Sequence, residues 1–131
     1  MQSRVALVTG GTGGIGSSIV RRLAQSGHRV ATNFRDEAKA KAWQSLMREQ
    51  GLEVAIAHGD VTSAEGSADM VRGVERQLGP IHILVNNPGI TRDSTFHKMD
   101  VTQWTDVIAT NLNSCFNVTR PVIEGMRERK W

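Results

Sequence analysis

Short apolar runs rich in β-branched residues alternate along this chain with segments whose apolar residues recur every three or four positions. The runs are Val5–Thr9, Arg29–Asn33, Glu53–Ala57 and Ile81–Asn86. The first and last are almost continuously hydrophobic, as expected of strands that are buried on both faces of a sheet. Because helical segments separate the strands, the pattern predicts a parallel α/β sheet with helices on both faces. No repeat or linker interrupts residues 1–131, which indicates one domain.

The three segments between the runs have the apolar spacing of amphipathic helices. The second extends from about Glu37 to Gln50, and Asp36 is expected to cap it. Thr62 and Glu65 have the spacing of a capping box at the start of the third. Each segment is followed by a glycine, which easily takes the left-handed conformation of a helix end; these are Gly27, Gly51 and Gly79.

Two more helices are predicted after the fourth run. The shorter begins at a capping box formed by Asp100 and Gln103, and the longer extends from about Asn111 to Arg129. Cys115 is expected to be a buried small hydrophobe on the longer helix. That helix has a wide apolar face, which predicts contact both with the sheet and with a partner helix; it comprises Leu112, Phe116, Thr119, Ile123 and Met126, widened by Cys115, Val118 and Val122.

Composition excludes several classes of protein. Hydrophobic residues make up 39% and charged residues 22% of the chain, which is a globular balance. No apolar run approaches the roughly 20 residues that cross a bilayer. A single cysteine and the lack of a signal-peptide pattern favour the cytoplasm. The net charge of +3 is small and dispersed, which disfavours nucleic acid and suits an anionic small ligand. The four histidines show no metal-ligand spacing, so no metal site is predicted.

A glycine-rich segment, Thr9–Gly16, lies between the first strand and the first helix. Glycines allow a sharp turn and let the backbone approach a ligand closely. The helix that follows presents unpaired N–H groups and a positive dipole end, both of which suit a phosphate. Because the segment lies inside a strand–helix–strand unit, it indicates a dinucleotide-binding loop. Ser17 and Ser18 follow the last glycine, where a nucleoside triphosphatase would have lysine and then serine or threonine.

The end of the second strand bears on which dinucleotide is bound. An NAD site commonly places Asp or Glu there to bind the ribose 2′-hydroxyl. Here Phe34 occupies the acidic position and Arg35 follows it. A guanidinium would pair with a 2′-phosphate, which favours NADP(H). Asp36 is the alternative ribose ligand, although its role as the cap of the second helix is the favoured one.

Four motifs that span the chain resemble those of the short-chain dehydrogenase/reductase family. They are Thr9-Gly10-x-x-x-Gly14-x-Gly16, Asp60-Val61, Asn86-Asn87-Pro88-Gly89 and Thr110-Asn111-Leu112. Within the family, the Gly89–Asp93 segment, Trp104 and the run from Asn113 to Thr119 are most similar to the acetoacetyl-CoA reductases of polyhydroxyalkanoate synthesis. The 3-oxoacyl-[acyl-carrier-protein] reductases share much of this pattern. Pro88 departs from it, since the family has alanine there, and Pro121 lies inside the last predicted helix.

The resemblance implies a Rossmann-type sheet in the order 3-2-1-4, with NADP(H) across the carboxyl ends of its strands. Asn111 is implied to hold a water in a proton relay, or else is a helix-bending polar residue. Asp93 is implied to contact the acyl substrate, or else is a solvated loop carboxylate. The cofactor contacts that the resemblance implies are Gly10, Thr12, Gly13, Gly14, Ile15, Gly16, Arg35, Asp60, Val61, Asn87 and Gly89, with a loop cap as the alternative for Asp60.

The family's general acid is a tyrosine, assisted by a serine and a lysine, yet the chain contains no tyrosine. We therefore expect the N-terminal part of a longer, cytoplasmic NADPH-dependent reductase, truncated after its fifth major helix and inactive alone. Its expected substrate is a 3-oxoacyl thioester, carried on coenzyme A or on acyl carrier protein. A non-catalytic dinucleotide-binding module is the other interpretation. The resemblance also implies a homotetramer that forms through the last two helices, and an exposed fourth strand would favour self-association.

Overall fold

The computed structural model of the protein describes residues 2–131. Strands and helices alternate up to the fourth strand, as the sequence predicts. The strands are β1 (Val5–Val8), β2 (Arg29–Phe34), β3 (Val54–His58) and β4 (Ile83–Val85). The helices are α1 (Gly14–Gln25), α2 (Glu37–Glu49), α3 (Ala64–Leu78), α4 (Val101–Ile108) and α5 (Ser114–Arg129). In the described part of the chain, no helix has the length and hydropathy of a membrane span.

All strand pairs are parallel and the order is β3-β2-β1-β4, which confirms the predicted topology. β1 lies between β2 and β4, and all of its residues are buried. β4 is shorter than the predicted run Ile81–Asn86, and its three residues are only partly buried. β4 pairs with β1 alone, so it is an edge strand, as expected of an exposed fourth strand, and it is less buried than its continuous apolar run predicts.

Alternate residues of β1 face opposite layers of helices, as the period of a strand requires. Leu7 belongs to the layer that contains α3 and α5, where Val74 and Val118 are fully buried. Val8 belongs to the layer that contains α1 and α2, where Trp43 contributes its indole ring. The sheet is thus covered on both faces, and its edges and ends remain for ligands.

Side chains cap three of the helices. Asp36 caps α2 by accepting a 3.1 Å hydrogen bond from the Lys39 amide, as predicted. The capping box that begins α4 is also confirmed. The box predicted for α3 is wrong, because Thr62 donates its hydroxyl proton to Asp60 at 2.7 Å and Ser63 caps the helix instead. The glycines that end the first three helices all have positive φ, as predicted; they are Gly27, Gly51 and Gly79.

A π-helical segment, Ala109–Asn113, joins α4 to α5 without a break. The predicted start of a separate helix at Asn111 is therefore wrong, since the helical backbone continues through that residue. π-turns of this kind occur inside α-helices and are frequent at functional sites. Pro121 lies within α5, as the sequence predicts.

The wide apolar face predicted for α5 is only partly buried. Val118 and Val122 pack into the core, whereas Leu112 and Phe116 are 62% and 67% exposed. The buried stripe of α5 thus includes Val118 and Val122, and the stripe that carries Leu112 and Phe116 faces outward. Cys115 is only partly buried, which corrects the expectation of a buried thiol.

Candidate functional site

The candidate site lies at the carboxyl ends of the strands, where the direction of winding reverses. The chain passes from β1 outward to β2 and β3, and then crosses to β4 on the other side of β1. Ligands of such sheets bind in the crevice between the loops that follow the two central strands. Asn87, after β4, donates its side-chain amide to the Gly10 carbonyl at 3.3 Å and its backbone N–H to the Thr9 hydroxyl at 3.1 Å. These bonds hold the two loops together.

The glycines after β1 have two distinct roles. Gly10 has a φ of +64°, and a Cβ there would lie 2.5 Å from the Asn87 carbonyl oxygen. Gly16 is buried, and a Cβ there would meet the Gly10 carbonyl. Gly14 is exposed, with no neighbouring atom within 4 Å of the position of a Cβ. Gly10 and Gly16 therefore shape the loop, while Gly14 leaves its outer backbone open to a ligand.

The N-terminus of α1 has no side-chain cap and no acidic residue in its first turn. By contrast, α2, α3 and α4 each begin at an Asp or Ser that accepts a backbone N–H. The first-turn amides of α1 lack acceptors within the helix and carry partial positive charge. Thr12, Gly13 and Ile15 are exposed beside them. This end of α1 thus has the chemistry of an anion site.

A cleft of about 170 Å³ opens beside the glycine loop. It brings together residues from the loops that follow all four strands. A neighbouring cleft of about 220 Å³ shares Arg35, Thr62 and Thr110 with it, so the two are continuous. The first cleft is lined by Gly10, Asn33, Arg35, Asp60, Val61, Thr62, Pro88, Gly89 and Thr110.

Asp60 is held in place by the residue two positions after it. One carboxylate oxygen accepts the Thr62 backbone N–H at 2.9 Å and the Thr62 hydroxyl at 2.7 Å. These hydrogen bonds, and to a lesser degree the charge of Arg35, lower the pKa of Asp60 below its ordinary value. Asp60 therefore faces the cleft as a carboxylate that can only accept hydrogen bonds at neutral pH.

Arg35 lies opposite Asp60, with 3.9 Å between guanidinium nitrogen and carboxylate oxygen. Its side chain is 71% exposed. An ion pair this long and this exposed contributes little to stability. The guanidinium is therefore free to turn toward an anion bound at the end of β2.

A third cleft, of about 300 Å³, adjoins the 220 Å³ cleft, with which it shares Ile90 and Arg92 of the loop after β4. Asp93 and Asn111 both line it, as do Trp104 and Ile108. Asn111 is linked to this loop by side-chain hydrogen bonds to the backbone of Ile90. The loop therefore separates a polar cleft from a mainly apolar one.

A larger cavity, about 620 Å³, lies at the other end of the sheet, between the segments 27–30 and 51–55. It lies at the amino ends of β2 and β3, away from the glycine loop and from the open end of α1. The candidate site is assigned to the smaller clefts because the anion-binding helix end and the loops after the strands converge there. No group of three potential metal-ligating side chains occurs among residues 2–131.

Sequence reasoning missed the residues beneath the glycine loop. Asn33 accepts the Gly10 N–H at 2.9 Å and donates to the Gly59 carbonyl at 3.1 Å. Thr32 accepts the Gly11 N–H at 2.9 Å. The signal was present, since Thr32 and Asn33 lie near the end of a mainly apolar strand, where buried or half-buried polar side chains need hydrogen-bond partners.

Comparison with known proteins finds a family match and several relatives. A sequence profile described as short chain dehydrogenase matches residues 4–131. Acetoacetyl-CoA reductase from Allochromatium vinosum is 51% identical over 129 residues, which cover 97% of this chain and 52% of that protein. The 3-oxoacyl-[acyl-carrier-protein] reductase FabG from Vibrio cholerae is 34% identical over 130 residues, which cover 99% of this chain and 52% of that protein. The chain thus spans about half the length of these relatives.

Solved structures show the same arrangement of elements. An actinorhodin polyketide ketoreductase variant crystallised with NADPH superposes with a TM-score of 0.91 at 38% identity, covering 97% of this chain and 49% of that one. A gluconate 5-dehydrogenase from Burkholderia cenocepacia, in complex with NADP and tartrate, superposes with a TM-score of 0.88 at 32% identity, covering 98% and 51%. The profile match over nearly all residues, together with the glycine loop between β1 and α1, places this chain in the short chain dehydrogenase family.

Proposed function

We propose that residues 1–131 form the NADP-binding domain of a reductase that acts on 3-oxoacyl thioesters. The observation that carries the proposal is the uncapped N-terminus of α1, with Arg35 exposed at the far end of the adjoining cleft. The first candidate substrate is acetoacetyl-CoA, reduced to 3-hydroxybutanoyl-CoA for polyhydroxyalkanoate synthesis in the cytoplasm. The relative that is 51% identical is an acetoacetyl-CoA reductase.

The residues present fit a nicotinamide dinucleotide. Thr12, Gly13, Gly14 and Ile15 would place backbone N–H groups against the pyrophosphate, because that end of α1 is open and positive. Bound there, the cofactor would supply the hydride, and the protein would supply position and electrostatics. Two solved relatives contain NADPH or NADP.

The adenosine end of the cofactor would lie in the 170 Å³ cleft. The Asp60 carboxylate would accept from the adenine amino group, and Val61 would lie beside the ring. Asn87 and Gly89 would line a ribose at the loop after β4. Arg35 would pair with the 2′-phosphate of NADP(H), a charge that a carboxylate in its place would repel.

Asp93 and Asn111 would serve the substrate side. Both line the 300 Å³ cleft, whose walls include the apolar side chains of Met99, Trp104 and Val107. A short acyl chain would find apolar contacts there. The Asn111 side chain already makes hydrogen bonds to the Ile90 backbone. The backbone of Asn111 would therefore hold the relay water.

We further propose that the 131-residue chain alone does not turn over substrate. Reduction of a carbonyl needs a proton donor within hydrogen-bond reach of the developing alkoxide. The chain has no tyrosine to serve as the general acid of the family pattern. Its cofactor affinity is expected to remain measurable without turnover.

Titration of the chain with NADPH and with NADH, followed by nucleotide fluorescence, tests the cofactor. We expect saturable binding that is tighter for NADPH. Absence of binding to either nucleotide would contradict the proposed function, and tighter binding of NADH would contradict the role of Arg35. Reduction of acetoacetyl-CoA by the 131 residues alone would show that no tyrosine is needed as the general acid.

An acyl-carrier-protein thioester is the second candidate substrate, because a relative with that activity covers 99% of the chain at 34% identity. This substrate ranks second because the chain is more similar to the acetoacetyl-CoA reductase, at 51% identity. A non-catalytic dinucleotide-binding module is the third candidate, favoured by the absence of tyrosine. An assay of the full-length protein that contains this sequence, with both thioesters, separates the three candidates. Faster reduction of one thioester identifies the substrate, and reduction of neither favours the non-catalytic module.

A further inference from the structure

A buried chain of hydrogen bonds runs from α2 to the glycine loop. The indole N–H of Trp43 donates to the Ser17 hydroxyl oxygen at 2.9 Å. The Ser17 hydroxyl in turn donates to the Gly11 carbonyl at 3.2 Å. Both side chains are more than nine-tenths buried, with exposures of 9% and 8%. The glycine loop is thus connected to a helix that lies outside the candidate cofactor cleft.

Gly11 is held from its other side as well. Its N–H donates to the hydroxyl of Thr32, which is fully buried in β2. A Cβ at Gly11 would lie 2.7 Å from the Thr32 Cβ and 3.0 Å from a methyl group of Val20. The peptide groups on both sides of Gly11 are therefore fixed in direction by side chains and packing.

Trp43 stands in an apolar layer where a donor needs a partner. Its neighbours in that layer include Val20, Met47 and Val54. A buried N–H without an acceptor is costly, whereas an aromatic hydrocarbon at this place would need none. A hydroxyl has one proton, so the bond that Ser17 accepts from Trp43 leaves that proton to point toward Gly11. The two bonds therefore support each other.

We propose that Trp43 and Ser17 are positioning residues for cofactor binding. They hold the Gly11 carbonyl and so set the orientation of the backbone at Thr12 and Gly13, where the pyrophosphate is expected to bind. Neither residue lines the candidate cofactor clefts. The inference rests on the proposed dinucleotide binding and adds that α2 helps to determine the affinity.

The test compares Ser17→Ala, Trp43→Phe and the double variant. The dissociation constant for NADPH is measured well below the unfolding temperature, and stability is measured by urea denaturation. Each single variant is expected to bind NADPH about three- to tenfold more weakly, the effect of losing one orienting hydrogen bond. The double variant is expected to match the weaker single variant, because both break one chain of bonds.

Met47→Leu is the matched control. Met47 is buried one turn after Trp43 in the same layer, and its thioether makes no contact with the loop by hydrogen bond. This variant is expected to lower stability slightly and to leave the dissociation constant unchanged. Folded Ser17→Ala protein that binds NADPH like the parent would overturn the inference, even if it were less stable. If Trp43→Phe does not fold, Ser17→Ala decides alone.

Hydrogen exchange separates this inference from the proposed function. Without any nucleotide, Ser17→Ala is expected to speed amide exchange at residues 11–13, while Met47→Leu is not. If the parent binds no dinucleotide, the proposed function fails and the positioning role for a cofactor fails with it. If the parent binds and the exchange and the affinity are both unchanged in Ser17→Ala, only the positioning role fails.

Discussion

The side-chain amide of Asn111 makes two hydrogen bonds to the backbone of Ile90, accepting from its N–H at 2.9 Å and donating to its carbonyl at 3.0 Å. This pair joins the π-helical segment to the loop after β4. Ile90 lines the cleft shared with Arg35 as well as the apolar cleft that contains Asp93. Asn111 thus holds Ile90 in place between the two clefts.

Asn111→Ala is expected to loosen the loop after β4. Two hydrogen bonds are lost, which corresponds to about 1–3 kcal/mol of local stability. Hydrogen exchange of residues 86–95 should accelerate, and NADPH should bind more weakly. Asn111→Asp should also loosen the loop, since it offers an acceptor where the Ile90 carbonyl needs a donor. Exchange rates equal to those of the parent in both variants would contradict the bridging role.

Gly16→Ala is expected to disrupt the fold around the glycine loop. The added methyl group would meet the Gly10 carbonyl and lie 2.7 Å from the Gly11 Cα, both of them backbone atoms. Overpacking of this kind typically costs about 1–3 kcal/mol, and occasionally more. Chemical denaturation measures the loss. A stability close to that of the parent would show that the loop can move aside.

Gly14→Ala is the counterpart, because a Cβ there has no neighbour within 4 Å. Alanine is the better helix former, so stability should stay within about 1 kcal/mol of the parent or rise. NADPH binding should weaken, since the methyl group would lie where the pyrophosphate is expected. Unchanged affinity in this variant would place the phosphates elsewhere.

Arg35→Ala is expected to remove the preference for NADPH. Loss of a charge-assisted bond to the 2′-phosphate should weaken NADPH binding about tenfold and leave NADH binding nearly unchanged. Arg48→Ala, which removes an exposed arginine from its pair with Glu53 at the end of α2, is the control. Equal losses for both nucleotides would assign Arg35 to a different part of the cofactor.

His82 makes stability depend on pH. Burial, and then the charges of Arg129, Arg4 and Arg29, lower its pKa below the ordinary value. The folded protein therefore binds the imidazole proton more weakly than the unfolded chain does. Its stabilising contribution is present above about pH 6.5 and is lost as the pH falls through the lowered pKa.

Thermal unfolding at pH 7.5 and pH 5 should show this loss, and His82→Asn should reduce it. Asparagine keeps an acceptor near the Val5 N–H, which His82 Nδ1 contacts at 3.4 Å. A loss that His82→Asn does not reduce would assign the titration to other groups.

Self-association is expected to involve α5. Phe116 and Leu112 are 67% and 62% exposed on neighbouring turns. Phe116→Lys should lower the sedimentation coefficient of the assembled protein, while Leu46→Lys on α2 should not. A monodisperse parent monomer would contradict self-association, and assembly that persists in Phe116→Lys would point to the open edge at β4.

Some local features could be predicted from neighbouring residues, and others could not. Asp36 caps α2 because its carboxylate needs only the amide three residues later. Thr62 also has the sequence spacing of a helix cap, but it does not cap α3, because its hydroxyl bonds to Asp60 instead. The exposure of Phe116 was also missed, because a period of 3.6 identifies an apolar stripe but not what covers it.

The sequence by itself determined the order of strands and helices and the place of the glycine loop, because both follow from short-range periodicity and backbone freedom. Tertiary structure alone decided which side chains hold that loop. Asn33, Asn87 and the pair of Trp43 with Ser17 reach it from other elements, and their contacts exist only once the sheet and helices have packed. Hydrogen bonds between residues distant in sequence depend on that packing, and so does the shape of the candidate site.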